Sequence, residues 1–217
     1  MSDLVVEILI LFFEVLCSKI FCEIFGKVRN KGWINIVQLF VLEISVFIMA
    51  RTFSNVMILK QIVVASIYAG VMLWHVKISI GKSFALGLLY QAMLLSTDYL
   101  AYSINKEICS GNELTGKQYN LENVLVILLG RAILFLGVII IRRKIGKKSI
   151  EVLCDTDWLK LLVFPIFTIV IITSMLSFFK NVETTDQIML VFVGAFGMIG
   201  MNIVVVYLMS DIAERDT

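Results

Sequence analysis

Charge is scarce in this chain. Asp, Glu, Lys and Arg make up 17% of its 217 residues against 59% hydrophobic residues, and the mean hydropathy is +0.95. So little polar sequence cannot surround a water-soluble core of this size, and lipid is expected to be the solvent for most of the surface. Histidine is scarcer still. His75 is the only one, and beside Trp74 it reads as half of an interfacial aromatic pair with no further role. The four cysteines, Cys17, Cys22, Cys109 and Cys154, match no metal-binding spacing. Nor is there a Gly-x-Ser-x-Gly, a phosphate-cradling Gly-rich loop ahead of a helix, a His-Glu-x-x-His or a His-Cys couple at membrane depth. No catalytic residue, metal or cofactor is therefore expected, and the chain as it stands is not expected to be an enzyme.

What is present is a succession of apolar runs from Leu4 to Met209, each close to the ~20 residues that a bilayer-crossing helix needs. Spans are expected near Leu4–Phe25, Trp33–Ala50, Val56–Val76, Ser83–Ile104, Leu121–Ile141, Trp158–Phe179 and Ile188–Met209. The fold class is thus an all-α polytopic membrane helix bundle of about seven transmembrane helices. The first run is not a cleavable signal, because its basic residues follow the apolar stretch and no small-x-small site closes it. Basic residues collect in alternate breaks: Lys27, Arg29 and Lys31, then Lys77 and Lys82, then Arg142, Arg143, Lys144, Lys147 and Lys148. Short cytoplasmic loops retain Lys and Arg, so these breaks face inward, with the amino end outside and the carboxyl end cytoplasmic. Only Cys109 then lies outside, which leaves no intramolecular outer disulfide.

Ionisable side chains inside spans cost several kcal/mol on insertion scales unless they are paired, hydrated or able to snorkel. At ~1.5 Å per residue, Glu14 and Arg131 fall near the midplane, Glu43 and Asp98 somewhat shallower, and Glu7 and Lys60 nearest the outer surface. Lys60 reaches water unaided, while Lys19 and Glu23 are expected to pair at i,i+4 toward the inner end. Glu7 and Glu14 are seven apart, so they share one face of the first helix, and that face should point into the bundle. Two compatible readings follow. One is an interhelical ion pair that fixes packing, for example Arg131 with Glu14 or Glu43. The other is a polar cavity open to the outside, with Asp98, Tyr99 and Tyr102 at its mouth. The candidate ligand-binding residues are Glu14, Glu43, Asp98, Tyr99, Tyr102 and Arg131.

In the last run Gly194, Gly197 and Gly200 recur at i+3. They are expected to form a small-residue face packed against a neighbouring span or a second copy. Residues 1–209 are expected to make the transmembrane bundle, and 210–217 read as the start of a helical cytoplasmic linker.

The segment Trp158-Leu-Lys-Leu-Leu-Val-Phe-Pro-Ile-Phe-Thr-Ile-Val-Ile-Ile172, around the sole proline Pro165, and the closing Met201-Asn-Ile-Val-Val-Val-Tyr-Leu-Met209 resemble the sixth and seventh spans of Agr-type peptide-pheromone receptor kinases. These are sensor histidine kinases of the GHKL family. The basic inner loop ahead of Trp158 and the seven-span order are similar too. The chain departs from the family by ending where the dimerising linker begins, without phosphoacceptor helix or ATP-binding domain. The resemblance implies the membrane sensor module of a two-component kinase in a bacterial cell membrane, detecting an extracellular small ligand or peptide pheromone. Its partners are then the lipid bilayer, the ligand and a second copy in a homodimer, with no nucleic acid. A small-molecule transporter or substrate-binding transport subunit would use the same buried charges. A membrane processing peptidase would need a cysteine close to His75, and none lies suitably near in sequence.

Overall fold

Runs of Leu, Ile, Val, Phe and Met without interior proline favour helix wherever backbone groups must be satisfied within the segment. The structure, a computed structural model, describes residues 3–29, 33–52, 57–108, 121–144, 158, 162–178 and 185–215. Every named element among them is an α-helix: α1 Asp3–Phe25, α2 Trp33–Thr52, α3 Met57–His75, α4 Ile80–Ile108, α5 Leu121–Lys144, α6 Val163–Phe178 and α7 Thr185–Arg215. The fold is all-α. Pro165 sits in the first turn of α6, where its missing N–H has no intrahelical partner to lose. The expected runs and the helices agree closely at both ends of α1, but α4 and α7 extend a turn or more past their apolar stretches, because polar residues continue a helix as readily as apolar ones. Among the described residues, no helix is long and apolar enough to cross a membrane.

α4 is the axis of the bundle, packed against α3, α5, α6 and α7, while α1 lies against α5 and α2, and α2 against α3. From Ala85 to Thr97 every residue of α4 is buried, the polar Gln91, Ser96 and Thr97 included. Ser96, Thr97 and Ser103 satisfy their hydroxyls by donating to carbonyls one turn back in the same helix. The outward faces are the opposite in character. Ile44 on α2, Leu136 on α5, Phe167 on α6 and Phe196 and Val204 on α7 all stand exposed. The interior is a largely apolar core with polar side chains set into it, and large apolar side chains stand on the outside as well.

At one end the α1–α2 and α3–α4 connections meet. The Arg29 N–H donates to the His75 carbonyl and the Lys77 N–H to the Lys27 carbonyl, both at 2.9 Å. Gly26 makes this approach possible, since a Cβ there would run into Val76 and come within 2.9 Å of Ile78. Phe25 packs its edge against Trp158, centroids 6.2 Å apart, at the same end. Cys109 and Cys154 lie outside the described residues.

Candidate functional site

The deep charges converge. Glu14 projects from α1, Asp98 from α4 and Arg131 from α5; Arg131 donates through Nη2 to Glu14 Oε1 and through Nη1 to Asp98 Oδ1. The planar guanidinium fork reaches two carboxylates at different heights, so Asp98 joins Glu14 rather than competing with it. Arg131 and Glu14 are buried, but the Asp98 side chain keeps 44% of its surface exposed. One cation faces two anions, which leaves a formal excess of one negative charge at the open end of the group. Arg131 Nε is buried with no partner among the described residues. Of the three, the half-exposed Asp98 carboxylate is the member that can accept a hydrogen bond from a group outside, while Arg131 Nε is enclosed.

Below the triad the polar residues continue. Tyr90 donates its hydroxyl to the Glu14 carbonyl at 2.6 Å and meets Tyr68 edge-on, centroids 5.0 Å apart. Gln91 donates to Gln61 across the α3–α4 contact. Further down, His75 Nδ1 lies 2.9 Å from Gln38 Oε1 and its Nε2 lies 3.3 Å from Glu23 Oε1. Glu23 also meets Lys19 at 3.9 Å, the i,i+4 pair expected for these residues.

Several sequence expectations need correction. Glu43 does not join Arg131: it is half-buried on α2, and α2 packs on α1 and α3 rather than on α5. Tyr99 is buried instead of lining a mouth, because consecutive helical residues point ~100° apart and Asp98 already takes the open side. The side chain of Tyr102 lies outside the described residues. Gly194 faces Met175 of α6, whereas a Cβ added to Gly197 or Gly200 would meet nothing among the described residues. The glycines at close helix approaches are Gly87, whose added Cβ would stand 2.8 Å from the Ala65 carbonyl oxygen, and Gly130, 3.2 Å from that of Thr97. His75 is no surface partner of Trp74: Trp74 is 43% exposed and His75 is buried.

The sequence reading passed over Gln61, Tyr68 and His75 as a set. Their seven-residue spacing puts all three on one stripe of α3, the same periodicity that marked Glu7 and Glu14 on α1. Comparison with protein-family models, with curated proteins and with solved structures finds no match.

Proposed function

We propose that the chain is the membrane-embedded sensor module of a two-component histidine kinase, receiving an extracellular ligand, a short peptide pheromone, at the open end of the Glu14–Arg131–Asp98 triad. One observation carries this reading: an ionic link between three helices, buried at Glu14 and Arg131, that leaves the Asp98 carboxylate half exposed. Large apolar side chains exposed on α2, α5, α6 and α7 are costly in water and at ease in lipid. Six of the described helices have 19 to 31 residues, ~28 to 46 Å by helix rise against a hydrocarbon layer of ~30 Å. The charges that interrupt the apolar stretches of α1 and α5 at depth, Glu14 and Arg131, bond to each other. Two of the Lys- and Arg-rich breaks lie paired at one end, as an inward-facing end requires.

A ligand group that engages Asp98 competes with the bond that ties α4 to α5 through Arg131. α4 also packs against α7, and α7 continues as helix to Arg215. Rearrangement at the triad is thereby converted into displacement of the helix that leaves the bundle. Two copies side by side would read that displacement at their tails.

The test uses single cysteines in a cysteine-free chain. A cysteine at Asp98 should react with an impermeant thiol reagent from outside intact cells, and one at Ser149 only after permeabilisation. Cysteines at Ser210 should crosslink between two copies, to an extent that changes when peptide-containing culture medium is added. Labelling at the Ser149 site from outside, or none at Asp98, refutes the reading. The transporter reading is favoured by the polar side chains that continue from the triad toward His75. Solute accumulation in reconstituted vesicles with unchanged crosslinking would establish it instead.

A further inference from the structure

Where the α1–α2 and α3–α4 connections meet, their backbones run antiparallel, with Val28 opposite Val76. The Lys77 N–H donates to the Lys27 carbonyl and the Arg29 N–H to the His75 carbonyl, which places Lys27 directly across from Lys77, with Arg29 two residues on. Residues bonded across such a pair stand ~5.5 Å apart at Cα. Val76 is buried, whereas Lys27, Arg29 and Lys77 are all exposed, so the bridge turns an apolar side to the core and its cations outward. Like charges directly across a ladder repel. Acidic side chains that could offset them are scarce in the sequence around the bridge. No Asp or Glu occurs between Glu23 and Glu43, nor between Glu43 and Asp98, and Glu23 is engaged by Lys19 and His75.

Cations gathered in this way are matched by an anion with several acceptor oxygens, and phosphate is such a group. The aromatic residues beside them decide between a phosphate in solution and one carried by a lipid. Trp33 opens α2 and is 80% exposed, and Trp74, next to last in α3, is 43% exposed. Trp33 follows Arg29 by four residues, and Trp74 precedes Lys77 by three. An indole needs apolar surroundings for its ring and a partner for its N–H, and the headgroup level of a bilayer supplies both. We propose that the paired connections are a binding surface for anionic phospholipid headgroups, with phosphate oxygens shared among Lys27, Arg29 and Lys77, and Trp33 and Trp74 seated beside them in the same leaflet. The lipid phosphate offsets the repulsion across the bridge. It thereby ties the two connections together from outside, as the Val28–Val76 pairing does from within. The inference rests on the membrane reading given above, but on neither the ligand nor the kinase.

The two exposed tryptophans are the reporters, since Trp158, the third, is buried. The full chain is reconstituted into phosphatidylcholine vesicles that contain the same small fraction of either brominated phosphatidylglycerol or brominated phosphatidylcholine, whose bromines quench indole on contact. The expected result is stronger quenching by the phosphatidylglycerol. Each Lys or Arg near an anionic surface strengthens the attraction about five-fold. Replacing Lys27, Arg29 and Lys77 together by Gln should therefore lower the preference at least five-fold, whereas Lys60→Gln, at the start of α3, should leave it unchanged. Where the triple variant does not fold, the exposed Arg29→Gln alone decides by the same comparison. Inorganic phosphate at constant ionic strength should not abolish the preference. Equal quenching by the two lipids overturns the proposal and leaves the membrane reading standing. No quenching by either, with the chain lost on alkaline extraction, refutes the membrane reading and the proposal with it. A preference that the variants retain, or that Lys60→Gln lowers equally, belongs to net charge and overturns the site. One that inorganic phosphate removes makes a soluble anion the occupant and overturns the lipid assignment.

Discussion

Arg131 holds the most at the scale of single residues, because among the described residues it is the cation shared by carboxylates on two other helices. Removing one partner of a buried ion pair typically costs ~3–5 kcal/mol, since the remaining charge is stranded in a low dielectric. Arg131→Leu should therefore lower the folded yield in membranes and the melting temperature in detergent. Glu14→Gln in the same chain should restore much of the loss, because Glu14 is buried and has nowhere else to turn. Asp98→Asn should restore less, since a half-exposed carboxylate reaches water by itself. Glu43→Gln should restore nothing and by itself change stability by no more than about 0.5 kcal/mol. If Glu43→Gln rescues Arg131→Leu while Glu14→Gln does not, the partner assignment is wrong. The periodicity of α1 made Glu14 legible as an inward residue. It could not choose among Glu14, Glu43 and Asp98, because depth along separate helices says nothing of which helices are neighbours.

Between elements, distance is set by small residues, and the ones that matter are not those that form a visible pattern. Gly194, Gly197 and Gly200 are conspicuous in sequence, yet the last two are exposed and meet no other described residue. Gly87 has no such pattern and sits where α3 and α4 touch. Gly87→Leu would drive a side chain into the Ala65 carbonyl and should cost ~1–3 kcal/mol, read as a lower melting temperature of the purified chain. Gly197→Leu should be neutral or stabilising for a single chain, by up to ~1 kcal/mol from helix propensity. Only if a second copy packs on that face should it weaken association, which crosslinking of Ser210→Cys tails would report. A large loss of single-chain stability in Gly197→Leu would contradict the placement of α7.

For the molecule as a whole, the distribution of side chains is what distinguishes lipid from water as the surrounding solvent. Ile44 stands exposed in the middle of α2. In lipid, Ile44→Lys places an ammonium in hydrocarbon and should cost ~2–3 kcal/mol of insertion on translocon scales, seen as loss of the membrane-integrated fraction after alkaline extraction. In water the same change would be harmless or would improve solubility. A variant that leaves extraction and yield as in the wild type would count against the membrane reading.

Composition and run length by themselves determined that the chain is helical and where most of its helices lie, because an apolar stretch of some 20 residues has few other ways to satisfy its backbone. Of the Glu7 and Glu14 pair read from their spacing, Glu14 is buried, and the side chain of Glu7 lies outside the described residues. What only the tertiary structure decided is pairing: that α5 stands beside α1 and α4, so that Arg131 takes both Glu14 and Asp98, and that Asp98 at the opening sends Tyr99 inward. It decided likewise that His75 is enclosed by Glu23 and Gln38 from two other helices, although nothing adjacent to it in the chain marks it. The physical reason is the same in each case. Periodicity along a helix reports only that helix's own faces, whereas a buried polar group is defined by what lies across the gap, and that is settled by how all the helices pack at once.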